Sequence, residues 1–113
     1  MHELPAVQQI IKIACEKAAA EAASKVVNIK LVAGDRSGFI GESIMMYFEI
    51  AGRGTVCEDA NIEIETVQSK LKCASCGALF VRKPFEFSCP ECGGEGSPTD
   101  IGREFYIDSI TLM

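Results

Sequence analysis

Cys73-Ala-Ser-Cys76 and Cys89-Pro-Glu-Cys92 form two C-x-x-C pairs with twelve residues between them, and each pair runs directly into a glycine, Gly77 and Gly93. Two residues between cysteines let one tight turn aim both sulfurs at a single centre. Two such turns supply four thiolates in a tetrahedron, the arrangement a structural zinc ion prefers. The glycines allow the left-handed backbone that closes such a turn. Two disulfides would require an oxidising compartment, and MHELPAVQQIIKIACEKAAA has neither a basic leader nor an uninterrupted apolar run, so it does not read as a signal peptide. A single iron fits the same spacing, and spacing alone does not separate the two metals. Zinc is preferred as the commoner occupant.

The remaining composition bounds the class. At 113 residues the chain is one ordinary domain, or a small core plus a minidomain, and a hydrophobic content of 48% supports a real core. No stretch approaches the roughly 20 apolar residues that span a bilayer, so no membrane is expected and a cytoplasmic location is. The formal charge is −5. That argues against a general nucleic-acid binder, whose affinity rests on Lys and Arg neutralising phosphates.

The pattern along the chain predicts α-β-α-β, the cysteine knuckles, then β. Pro5 suits the first turn of a helix, and Val7, Ile10, Ile11, Ala14, Cys15, Ala18 and Ala22 recur at helical spacing. Val26 to Ala33 reads as a strand with Val27, Ile29, Leu31 and Ala33 on one side, followed by a turn over residues 34–38. A second helix is expected over about 42–50, with Ile44, Tyr47, Phe48 and Ala51 on one face. Ala60 to Val67 alternates as a half-buried strand, Ile62 and Ile64 inward. Between the knuckles, Leu79-Phe80-Val81 and Phe85-Glu86-Phe87 read as a hairpin turning near residues 82–84. In the last strand, Glu104 to Leu112, Phe105 and Ile107 share one phase and Ile110 and Leu112 the other, which suggests a bulge near Asp108–Ser109 or burial on both faces. The expected fold class is therefore α+β: a three-stranded sheet with two helices on one face, plus an inserted zinc-ribbon-like four-cysteine minidomain. The division is residues 1–69 and 99–113 for the α/β domain and 70–98 for the zinc-binding minidomain. Two open sheet edges leave room for a weak homodimer.

His2 is the sole histidine and directly follows Met1. Two readings stand side by side. One is an exposed terminal residue in a frayed segment. The other is a chelate: the Met1 α-amine, the His2 amide and imidazole, and the Glu3 amide lie within chelate-ring reach and favour a square-planar N-donor site suited to Ni(II) or Cu(II). Binding through amide nitrogen displaces protons, so affinity should fall with pH.

Met1-His2-Glu3, the Gly34-Asp35-Arg36-Ser37 turn, Phe48-Glu49, Arg53-Gly54-Thr55, Ile62-Glu63-Ile64, the four cysteines and Gly102-Arg103-Glu104 together resemble the HypA/HybF family of nickel metallochaperones that mature [NiFe]-hydrogenase. The resemblance covers essentially the whole chain. It implies a nickel site at Met1, His2 and Glu3, and a structural zinc on Cys73, Cys76, Cys89 and Cys92. It also implies Ni(II) as transported cargo, a partner GTPase nickel chaperone, the hydrogenase large subunit as recipient, and no catalysis by the chain itself. Some relatives carry an aspartate before the second helix. Here the region reads Phe39-Ile40-Gly41-Glu42, so only Glu42 is available, and it is left out of the site.

Other residues carry blander readings. Cys15 is expected in the core, Cys57 as incidental in a loop, and Met45 and Met46 as helix-core packing. Asp35 with Arg36 reads as a turn with a surface charge. No phosphate-binding G-x-x-x-x-G-K-[ST] loop is present. The alternatives to metal delivery are a zinc-ribbon protein- or nucleic-acid-interaction module using Lys70, Lys72, Arg82 and Lys83, and a red, iron-loaded electron carrier.

Overall fold

A computed structural model of the chain describes residues 3–82 and 86–113. The elements are α1 (Glu3–Ala20), β1 (Val26–Gly34), α2 (Gly41–Ala51), β2 (Asn61–Val67), β3 (Leu71–Cys73), β4 (Leu79–Phe80), β5 (Gly96–Pro98) and β6 (Phe105–Leu112). They make two three-stranded sheets, ordered β2-β1-β6 and β4-β3-β5. The second sheet lies between β2 and β6 in the chain and carries the cysteines, so the minidomain is inserted as expected. Among the described residues, no helix is long and apolar enough to cross a membrane.

The larger sheet is built on β1. It runs parallel to β2, reached through the α2 crossover, and antiparallel to β6. Both helices cover the sheet, burying Val7, Ile10, Ile11, Ala14 and Ala18 of α1 and Ile44 and Phe48 of α2 against Val26, Ile29 and Leu31 of β1. The 3.6-residue spacing of the α1 set gives one continuous stripe, which is why this helix packs along its length.

The phase switch in the final strand is a bulge. Lys30 pairs with Ser109 and Leu31 with Ile107, so Asp108 is the extra residue. The added residue rotates the strand, and Phe105, Ile107, Ile110 and Leu112 all pack on the same core. A second register shift falls between Val26 and Asn28. It corrects the expected face of β1: Val26, not Val27, joins the core beside Ile29 and Leu31.

Other expectations need correction. Ala22 is not on the α1 stripe. It is exposed and left-handed (φ 53°), beyond a helix that ends at Ala20. The Ala23 amide donates to the Ala18 carbonyl at 2.8 Å, closing the helix end around it. Met45 and Met46 are about half exposed and do not pack in the core. Cys57 is not incidental: it is 1% exposed within the main core, and half-buried Cys15 packs against that core as expected. Inside the minidomain, β4 pairs with β3; of the expected hairpin turn near residues 82–84, residues 83 and 84 lie outside the described residues.

The minidomain leaves and re-enters the sheet where the chain crosses itself. The Gly34 amide donates to the Glu104 carbonyl at 2.7 Å, and the Arg36 amide to the Gly102 carbonyl at 2.7 Å. Asp35 Oδ2 accepts from the Ser69 amide at 3.0 Å and from its hydroxyl at 3.3 Å, so Asp35 is a strut rather than a loose surface charge. A Cβ on Gly34 would overlap the Gly102 backbone.

Two glycine-related substitutions should therefore act with opposite sign. Gly34→Ala should lower unfolding free energy by about 3 kcal/mol, as overpacking against backbone does. Ala22→Gly should raise it by about 0.5–1 kcal/mol by relieving left-handed strain. Chemical denaturation of the metal-loaded chain measures both, and equal effects would contradict the packing described at the crossing.

Candidate metal centre

Each knuckle is the same local device. In the first, the Gly77 amide donates to the Cys73 carbonyl at 3.0 Å, and Gly77 is left-handed at φ 76°. In the second, the Gly93 amide donates to the Cys89 carbonyl at 2.9 Å, with φ 74°. The turn folds each cysteine pair onto one side, and the glycine makes the reversal sterically free. Strands β3 and β5, with the Ser88–Glu95 bridge, hold the two turns face to face.

The outcome is a cluster in which the four sulfurs lie within 4.8 Å of one another. Cys73 and Cys92 are 3.4 Å apart and Cys76 and Cys89 3.7 Å. The edge of a tetrahedron with metal–sulfur bonds of about 2.3 Å is roughly 3.8 Å, so the spacing fits one ion. It is well beyond the roughly 2.05 Å of a disulfide bond, and all six cysteines are free. Backbone amides complete the site: Cys76 N–H points at Cys73 Sγ and Gly94 N–H at Cys92 Sγ, both at 3.4 Å. Gly94 is needed for a reason its sequence position does not disclose, since a Cβ there would stand 2.8 Å from Cys73 Sγ.

The electrostatics of the metal-free cluster favour one thiolate and oppose the others. The Cys76 amide draws the Cys73 thiol down to about 6, against the effect of burial and with help from the Ser75 amide. At Cys76 the Ala78 amide lowers the pKa, but the Cys92 and Cys73 sulfurs outweigh it and push the thiol up to about 12. Cys92 is lowered by the Gly94 amide and raised by Cys73, with a net upward shift. One thiolate thus forms readily and further ones are opposed by it. A divalent ion reverses that opposition. Four protein ligands also close the site to substrate.

Of the N-terminal residues, Met1 and His2 lie outside the described residues. Glu3 opens α1 and is 1% exposed, and neither carboxylate oxygen has a hydrogen-bond partner among the described residues. A carboxylate in the first turn is favoured by the helix dipole, but burial without a partner is costly.

A mixed sheet under two helices, with an inserted cluster of four cysteines spaced for one metal ion, defines a small metal-binding protein. Comparison with known proteins makes this specific. Residues 1–112 match the family model described as hydrogenase/urease nickel incorporation metallochaperone, HypA. Among curated relatives, hydrogenase maturation factor HypA of Caldanaerobacter subterraneus is 40% identical, with 99% of each chain covered. The HypA of Dehalococcoides mccartyi is 34% identical, covering 99% of this chain and 94% of its own. The solution structure of the Ni metallochaperone HypA from Helicobacter pylori superposes with a TM-score of 0.65 at 25% identity, covering 100% and 98% of the two chains. A second HypA solution structure gives a TM-score of 0.71 at 25% identity, covering 100% and 97%. The chain belongs to the HypA family of nickel metallochaperones.

Metal loading of the cysteine cluster should be strongly pH-dependent. Cys76 and Cys92 are shifted upward and are protonated near neutrality without metal, so binding must release at least two protons. Affinity should fall by about a hundredfold per unit as pH drops from 8 to 7, read by competition with a chromophoric chelator. Stripping the metal, or Cys76→Ser, should unfold the minidomain, whose buried cluster among the described residues is Leu71, Cys73, Phe80 and Cys89. The α1–β1–β6 core should persist in amide spectra.

Proposed function

We propose that the chain binds Ni(II) at its N-terminus, through the Met1 amine, the His2 amide and imidazole, and Glu3, and delivers it for [NiFe]-hydrogenase maturation. Membership of a nickel-incorporation family supports the cargo. The observation that supports the location is Glu3: a buried carboxyl with no hydrogen-bond partner among the described residues, adjoining a histidine and an α-amine in sequence. A buried carboxyl is costly unless it gains a partner, and a bound metal ion is one such partner; a donor set of amine, amide and imidazole selects a square-planar ion. Deprotonated amide and neutral imidazole are required, so acid favours release.

In this reading the zinc on Cys73, Cys76, Cys89 and Cys92 is structural. The chain divides into residues 1–69 with 99–113 for nickel and 70–98 for zinc. The working partners are a GTPase nickel chaperone and the hydrogenase large subunit, in the cytoplasm, with the chain a monomer or weak homodimer. The acidic charge speaks against nucleic acid as the partner.

Nickel titration of untagged protein with intact Met1 tests the site. His2→Ala, or residues added before Met1, should weaken nickel binding at least about tenfold, the order of loss seen when a metal site is disturbed, with zinc content unchanged. Unaltered nickel affinity in both variants would remove the N-terminus from the site. Glu3→Gln separates charge from shape. It should weaken nickel binding while leaving the nickel-free chain about as stable as before, because the amide fills the same space and replaces no contact of the carboxyl among the described residues. A loss of stability in the nickel-free chain would mean that Glu3 serves the fold instead.

A further inference from the structure

Where the two sheets meet, a pocket of about 240 Å³ is lined by Arg36, Lys70 and Arg82, together with Phe87, Gly96 and Pro98. The cations come from separate parts of the chain: the turn after β1, the link into β3 and the segment after β4. Sequence proximity groups Lys70 with Lys72. The structure regroups them, because Leu71 and Lys72 alternate on β3 and Lys72 lines the opposite side, beside the cysteine turn. Among the described residues, no carboxylate lines the pocket and none of its three cations is ion-paired. The nearest acid in sequence, Asp35, is engaged by Ser69.

The pocket is anchored at its rim. Arg36 is tied to the Gly102 carbonyl through its amide at 2.7 Å. The Lys70 carbonyl accepts from the Thr99 hydroxyl at 2.7 Å. The Arg82 guanidinium lies 4.4 Å from the centre of the Phe87 ring, which orients its plane while leaving its N–H donors available. Three cationic residues lining one pocket with no carboxylate among its described lining, in a chain of net charge −5, suit an anion. Size narrows the choice. About 240 Å³ is below the roughly 300–1,000 Å³ of small-molecule sites, so a nucleotide does not fit, but one carboxylate side chain with its stem does. The acidic remainder of the surface repels an extended phosphate backbone, whereas a short acidic segment presents only a few charges to the cationic mouth.

We propose that this pocket is a docking site for a carboxylate side chain on an acidic segment of a partner protein, and that its occupation clamps the minidomain against the larger sheet. The site uses none of the residues assigned to nickel or zinc, so its failure leaves those assignments untouched.

The test titrates metal-loaded, isotope-labelled full chain with N-acetyl-hexaglutamate amide, following backbone amides. Saturable shifts are expected at Ser69, Leu71 and Gly96. They should weaken about tenfold or more in the exposed-site variant Arg36→Gln/Arg82→Gln, as loss of charged hydrogen bonds implies, and should weaken with added salt. The rest of the spectrum reports that the variant is folded. Hexaglutamine amide should give no saturable shift. Absence of saturation with hexaglutamate, or equal binding by the variant, would overturn the proposal. So would tighter binding of a dodecathymidylate strand at the same amides, which would make the site one for nucleic acid. Inorganic phosphate matching the peptide in affinity would reduce it to a free-oxyanion site and also overturn docking.

Discussion

Strand β1 must end where two other segments of the chain need the same space. Its last residue, Gly34, lies against Gly102, while Asp35 braces Ser69 and the Arg36 amide reaches the Gly102 carbonyl. These contacts join the end of the central strand to the exit from β2 and the entry to β6. An inserted minidomain has two covalent links to its host, and each is a flexible joint unless something braces it. Here both links are hydrogen-bonded to the same turn. That is what lets a segment with a very small core keep a defined place beside a sheet with a large one. It is also why Gly34 and Gly102 stand where they do, the latter with φ 103°: any side chain at this crossing would separate the strands that the amides hold together.

The two metal-related regions follow opposite physical rules. Around the cysteines, donors come from two turns on one rigid frame, amide N–H groups aim at sulfur, and four ligands complete the coordination. Such a site holds its ion and contributes folding energy. The N-terminal set proposed for nickel is drawn from consecutive residues, of which Glu3 opens α1. A site whose donors belong to a chain end opens without disturbing any strand. Retention and transfer make contrary demands on rigidity, and the proposed assignment separates them along the sequence.

Much of this was legible in the sequence because the strongest signals were local. The C-x-x-C-G spacing specifies its own turn, and the structure brings all four sulfurs together. The switch of phase between Ile107 and Ile110 announced a bulge, and Asp108 supplies it. The failures were non-local. Val26 replaces Val27 in the core because of a register shift against β6, which no pattern within β1 encodes. Ala22 continues the alanine periodicity, but the chain must turn there to reach β1, and tertiary need overrides propensity. Cys57 lacked any neighbouring thiol in sequence, yet it lies in the core with α1, where burial first and the Cys15 thiol second push it up to about 12. That environment makes it an inert core thiol rather than a metal ligand. Arg36 joins Lys70 and Arg82 only because the crossing brings the end of β1 to the minidomain.

Glu3 is the residue at which local and global arguments meet. Helix-dipole preference explains an acid in the first turn of α1, and would be satisfied by an exposed one. Solubility would also be served better by exposure. Neither accounts for a carboxylate at 1% exposure with both oxygens unpartnered among the described residues. Apolar residues of similar size would fill that space without the desolvation cost, which for an unpaired polar group is several kcal/mol on the harsher scales and more for a charge. A position that departs this far from the packing rules obeyed by Val7, Ile10 and Ile11 on the same helix is where function is expected to override stability. In the nickel site proposed above, the transferred cation would supply that compensation, and its departure would leave the carboxyl unpartnered and ready for the next ion, which a permanent salt bridge would not.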